Sequence, residues 1–342
     1  MKRKIFQFLG YALLVCAAIF SAIIFWPRHY HAPALQERAN IRYWDLRTGS
    51  RIAYTFASAK GIKKPNPVIY LHGGPGGVIT DKNIRLLSPL TDDGYDVYWY
   101  DQIGSGHSAR LADIREYTAE RHQRDLEAIV QQTGAEKVIL IGQSWGAILA
   151  TLFAADHPDQ LEKIIFTCPG PIQPRRNELA NEVPPDSLHL RPPYFSNAQG
   201  NALANNLRTD AMAWIAQNFG KKLASNQEAD EFATYLNQAL NRSLVCDTTK
   251  IPQVMGGVGF YVQVMTVESL NQIPDPRAKL RAVQCPVLVM KGQCDNQKWG
   301  FTREYLDIFP HSQLIVIPDA GHSIAVEQPE LYIRTIKTFL SN

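Results

Sequence analysis

Charge of one sign is not in surplus here. The 342-residue chain carries 35 lysines and arginines against 32 aspartates and glutamates, a formal net charge of +3, and the basic residues are dispersed apart from the extreme N-terminus. A nucleic-acid surface needs them gathered on one face, so that class of partner is excluded. Cysteine is scarce, with five in the chain, and no Cys/His spacing suits a metal. The expectation is therefore no metal and no cofactor. A dinucleotide loop is excluded as well. Gly74 and Gly76 stand at Gly-x-Gly spacing, but Ile79 occupies the place of the third glycine.

What is present is more specific. Gly142-Gln143-Ser144-Trp145-Gly146 directly follows the apolar run Val138–Ile141 and leads into the apolar stretch Ala147–Ala155. A Gly-x-Ser-x-Gly that leaves a strand and opens a helix is a nucleophile elbow. The serine is held in a sharp turn, and a Cβ at either flanking glycine would crowd the strand–helix packing. A second strand-like run, Val68–Leu71, enters His72-Gly73-Gly74-Pro75-Gly76-Gly77. Acyl transfer needs N–H donors aimed at the oxyanion of its tetrahedral intermediate. One is expected from the residue after the nucleophile, Trp145, and the other from Gly74, with Gly73 as the alternative.

A serine hydroxyl is a weak nucleophile until a base takes its proton, and a buried carboxylate must then hold the imidazole tautomer. In the α/β-hydrolase order of serine, acid and histidine, His322 is the expected base. It follows the strand-like Leu314–Ile317 and precedes a closing helical segment, Pro329–Leu340. Asp295, after Val287–Met290 and the turn Lys291–Cys294, is the expected acid. Asp319 stands only three residues before His322 and reads as a loop hydrogen-bonding residue. His72 and His107, inside glycine loops, read as backbone supports, and His157 and His311, each beside a proline, as surface residues.

His72-Gly73-Gly74-Pro75-Gly76-Gly77, Asp101-Gln102-Ile103-Gly104-Ser105-Gly106-His107-Ser108 and Gly142-Gln143-Ser144-Trp145-Gly146 occur in that order. Together they resemble the proline iminopeptidase family of α/β-hydrolases, which are serine aminopeptidases. The resemblance covers about Ile41–Cys168 and Cys285–Asn342. It implies an α/β fold, a mostly parallel sheet flanked by helices, with Ser144, Asp295 and His322 as a triad that releases N-terminal residues from peptides. It also implies that the loop from Asp101 to Ser108 is structural. Carboxylester or other small-acyl hydrolysis is the second expectation, and a non-catalytic binding protein on the same scaffold the third.

Strand signals stop between Pro169 and Ala282. Prolines 171, 174, 184, 185, 192 and 193 mark an irregular start, and helical stretches follow over Asn201–Phe219, Gln227–Ser243 and Phe260–Leu270. No repeat is visible. The stretch 169–282 reads as a mainly helical cap over a core made of 41–168 and 283–342, where substrate is selected. An aminopeptidase must pair a desolvated ammonium with a carboxylate. The resembled family supplies acids from the cap beside a tryptophan–glutamate signature. Here Trp214 is the only cap tryptophan and no glutamate follows it closely, so Glu178, Glu182, Glu228, Glu231 and Glu268 all stand as candidates.

The one long apolar run lies at the N-terminus. Met1-Lys2-Arg3-Lys4 precedes a nearly unbroken apolar segment, Ile5–Trp26, of the length that crosses a bilayer. Residues 1–26 therefore read as a membrane anchor and 27–40 as a tether. The basic flank is expected in the cytoplasm and the catalytic part on the far side. A cleaved secretory signal is the alternative, yielding a secreted protein. Outside that segment four cysteines remain, allowing three pairings. Sequence does not choose among them; strand adjacency permits Cys168–Cys294 as one candidate disulfide, four free thiols are the default, and Cys285 and Cys294 flank one extended strand too long to bridge.

Overall fold

Apolar runs too short for helices and rich in β-branched residues build the centre of this protein. The computed structural model describes residues 2–342, with side chains from residue 5 onward. The side chains of the basic flank Met1-Lys2-Arg3-Lys4 therefore lie outside the described residues. Eight strands form one sheet among the described residues: β1 (Arg42–Asp45), β2 (Arg51–Ala57), β3 (Val68–Leu71), β4 (Val97–Tyr100), β5 (Val138–Gln143), β6 (Leu161–Thr167), β7 (Val287–Gly292) and β8 (Ser312–Ile317). Their order is β1-β2-β4-β3-β5-β6-β7-β8. The β1–β2 and β2–β4 pairs are antiparallel, and every pair from β4 to β8 is parallel.

The parallel strands are covered on both faces, which is why they read as continuous apolar runs. Successive side chains alternate between two cores. Ile69, Leu71, Leu140, Phe166 and Val289 join one, and Val68, Tyr70, Ile139, Ile141 and Leu288 join the other. Helices α1 (Lys2–Phe25), α2 (Asp81–Leu87), α3 (Ala119–Thr133) and α4 (Trp145–Asp156) precede the insertion. The insertion carries α5 (Asn197–Ala204), α6 (Leu207–Phe219), α7 (Asn226–Leu240) and α8 (Phe260–Ser269). The short α9 (Arg277–Leu280) ends the insertion, and the chain closes with α10 (Trp299–Ile308), α11 (Ile324–Glu327) and α12 (Pro329–Ser341).

The single helix expected over Asn201–Phe219 is broken. The Asn206 side chain accepts hydrogen bonds from the Arg208 and Thr209 N–H groups and caps α6. An asparagine that competes for backbone donors in this way ends one helix and begins the next. The stretch expected over Gln227–Ser243 is α-helical to Leu240 and tightens into a 3-10 turn over Asn241–Leu244, and strand β1 is too short and too exposed to show in the sequence pattern.

Ile5–Phe25 is long and apolar enough to cross a membrane. Its end is fastened to the insertion. Arg208 donates to the Ile24 carbonyl and pairs with Glu228, and Glu228 also accepts from the Arg28 N–H at 2.9 Å. The following segment lies along α7, with the Tyr30 ring 5.1 Å from that of Phe232. It then enters the core, where Arg38 meets Asp101 at 3.1 Å.

Candidate active site

Parallel pairing places Leu71 opposite Gly142 and Gly292 opposite Ile317. The loops that leave β3, β5, β7 and β8 thus emerge at one edge of the sheet, the usual ligand side of an open α/β sheet. Ser144 sits between β5 and α4 with φ 55° and ψ −111°, a strained conformation for a residue with a side chain. The motif glycines permit it. A Cβ on Gly146 would collide with the Leu71 carbonyl, and one on Gly142 with the Gly146 backbone. The Ser144 N–H donates to Thr167 O at 3.0 Å, tying the turn to β6.

Gln102 joins three loops. Its carboxamide accepts from the Trp145 indole at 2.7 Å and donates to His72 O at 3.0 Å. Its backbone N–H donates to His72 Nε2 at 3.0 Å. That bond leaves the His72 proton on Nδ1, which faces Gly73 O at 2.8 Å. Burial lowers the His72 pKa, so the ring supports the loop as a neutral group. Asp101 accepts from the Ile79 and His107 N–H groups at 2.8 and 3.0 Å, besides Arg38, which is a structural set of partners.

Across the site, His322 Nδ1 lies 2.8 Å from Asp295 Oδ1. The other carboxylate oxygen accepts from Lys291 Nζ at 3.0 Å, and all three side chains are buried. Burial by itself would raise the Asp295 carboxyl. The charges of Lys291 and His322, the His322 hydrogen bond and the Gln297 N–H more than offset it and hold Asp295 well below the ordinary carboxylate range. Asp319 instead meets Arg191 at 2.9 Å, and its N–H donates to Gln293. Ser144, His322, Gly73 and Gly74 line one cavity of about 260 Å³. Trp145 is buried beneath it, and its N–H opens α4.

A family model described as alpha/beta hydrolase fold matches residues 66–329, spanning strands β3 to β8 together with Ser144, Asp295 and His322. The chain belongs to the α/β-hydrolase family. It is 26% identical over 302 residues to the proline iminopeptidase of Heyndrickxia coagulans, covering 86% of this chain and 96% of that relative. It is 23% identical over 298 residues to the proline iminopeptidase of Saccharolobus solfataricus, covering 85% of this chain and 89% of the relative. Among solved structures it resembles a thermophilic esterase from Thermogutta terrifontis, with TM-score 0.60, 22% identity and coverage of 89% and 98%. That likeness is one of fold.

In this α/β-hydrolase two contributors escaped the sequence reading. Lys291, read in the sequence as the start of a turn, lies within the fully buried strand β7, one residue before its end. A lysine closing an apolar run four residues before a candidate acid is the available signal, because a buried lysine requires a partner. Gln102 lay inside a motif and had no signal of its own.

The disulfide expectation is corrected. The bond joins Cys246 to Cys294, with Cα atoms 5.3 Å apart, while Cys168 and Cys285 are free. Strands β6 and β7 are indeed neighbours, but the Cys168 thiol turns into the core and donates to Gly321 O at 3.7 Å. The chain after α7 crosses the acid and histidine loops, where the Ser323 N–H donates to Leu244 O at 2.8 Å, and so brings Cys246 to Cys294.

Proposed function

We propose that this α/β-hydrolase is a serine hydrolase working through an acyl-enzyme, with Ser144 as nucleophile, His322 as base and Asp295 as the group that orients His322. The observation that carries the reading is the meeting of Ser144 and His322 in one cavity, with His322 held on Asp295 at 2.8 Å. Ser144 Oγ attacks the acyl carbon while His322 Nε2 takes its proton. The Trp145 and Gly74 N–H groups stabilise the oxyanion. As the leaving alcohol or amine departs it takes the proton from His322. Water, deprotonated by His322, then adds to the ester, and the acid is released with the proton returned to Ser144.

Release of N-terminal residues from peptides is the substrate reading supported by the relatives named proline iminopeptidase. Hydrolysis of small uncharged acyl compounds is the second reading, and the side chains around the cavity favour it. Labelling by a fluorophosphonate probe, lost in Ser144→Ala, tests the common mechanism. A folded wild-type protein that does not label is a binding protein on the hydrolase scaffold instead.

The N-terminal helix acts as an uncleaved membrane anchor, with the catalytic part on the far side. The basic flank supports this orientation. So does the Cys246–Cys294 disulfide, which belongs in an oxidising compartment. Accessibility of the catalytic part to protease in intact cells or spheroplasts tests the arrangement. A protected catalytic part would reverse the orientation.

A further inference from the structure

The cavity above Ser144 is walled on its cap side by Asn197, Asn237 and Gln263, with Leu240, Leu244 and Val258 between them. No carboxylate lines it among the described residues. The acids of the insertion are engaged or exposed elsewhere. Glu228 pairs with Arg208, Asp230 with Arg110 and Glu182 with Arg303. Glu231 accepts from the Tyr30 N–H, Glu268 from Gln217, and Glu178 is exposed. A substrate ammonium entering this cavity would lose water without gaining a counter-charge. It would also face the imidazolium that His322 becomes during attack, a second positive charge in the same confined space.

The carboxamides state what is wanted instead. Asn237 Nδ2 donates to Ala233 O at 2.8 Å, which leaves its Oδ1 as an acceptor without a donor among the described residues. The Gln263 carboxamide has no protein partner among them. A free acceptor and a free carboxamide match one N–H and one C=O of a secondary amide. We infer that the acyl group taken by this site is uncharged and carries a secondary amide, as an N-acylated aminoacyl group does. The inference rests on the serine-hydrolase mechanism proposed above and replaces its aminopeptidase form. The balance is unchanged: the Ser144–acyl bond replaces the bond to the leaving group, and water releases an N-acylamino acid.

The test uses the full chain in detergent micelles with matched p-nitrophenyl esters of alanine and N-acetylalanine. At pH 7 the blocked ester should have a kcat/KM at least tenfold higher; a faster free-amine ester overturns the inference. The free-to-blocked ratio should climb as pH rises through the α-ammonium pKa, about 7.7, because the neutral amine is the form that enters. A flat ratio also overturns it. Asn237→Asp should move the ratio about tenfold toward the free amine, and Gln263→Glu should move it the same way, so one folded variant suffices. No movement in either folded variant counts against the assignment. An enzyme whose Ser144 labels with fluorophosphonate but cleaves neither ester overturns it too, whereas absence of labelling removes the serine-hydrolase mechanism itself.

Discussion

The floor of the cavity and its roof handle buried charge in opposite ways. On the floor, Asp295 is driven into the interior and kept ionised between Lys291 and His322. On the roof, Glu228 and Asp230 are paired with arginines away from the cavity, and amides line the cavity. Asp295 and Glu228 look alike in the sequence. Their partners separate them: Asp295 shares its two oxygens between His322, which lines the cavity with Ser144, and Lys291, whereas a packed guanidinium takes both oxygens of Glu228. The floor therefore holds a buried ionised carboxylate, and the roof presents only neutral amides and apolar side chains to the cavity.

That contrast breaks most visibly at the nucleophile. Ser144→Ala should lower kcat by about 10⁵-fold, measured with the preferred ester, because the triad members act as one unit. Asp295→Asn should follow at about 10⁴-fold. A loss below tenfold would place the orienting role elsewhere. The Cys246–Cys294 link fastens roof to floor across 48 residues. Its removal by paired serine substitutions should cost about 4 kcal/mol by loop entropy, read from urea unfolding.

Lys291→Met should cost about 3 kcal/mol, since it leaves a buried carboxylate with one partner fewer. The sign with pH follows from the depressed Asp295 carboxyl. Its contribution is complete above the unfolded pKa, about 3.9, and is lost as pH falls through the lower folded value. Removing Lys291 should therefore flatten the acid limb of the stability profile. The smallest effect is expected on the roof. Arg208→Met should cost about 1–2 kcal/mol and leave kcat within about threefold. A large fall in kcat would make the roof part of the chemistry.

Legibility in the sequence followed range. The elbow around Ser144, the His72–Gly77 loop and the strands β3, β5, β7 and β8 were readable, because each is set by neighbouring residues. His322 and Asp295 were readable as positions after strands, and the structure brings them together. The break between α5 and α6 turned on one asparagine side chain choosing backbone partners. Lys291, Gln102 and the Cys246–Cys294 bond were not readable, because each depends on which distant loops cross. The segment 27–40 looked like a tether, yet its Arg28 and Tyr30 are gripped by a helix some two hundred residues later.

Local order along the chain determined the strand–turn–helix geometry at Ser144 and the family, since a Gly-x-Ser-x-Gly after a buried strand has few ways to fold. The partner of each buried charge, and whether a carboxylate reaches the cavity beside Ser144, were decided only in three dimensions. Desolvation makes a charge take whichever counter-charge the packing brings near, and that proximity is a property of the assembled loops, not of sequence spacing.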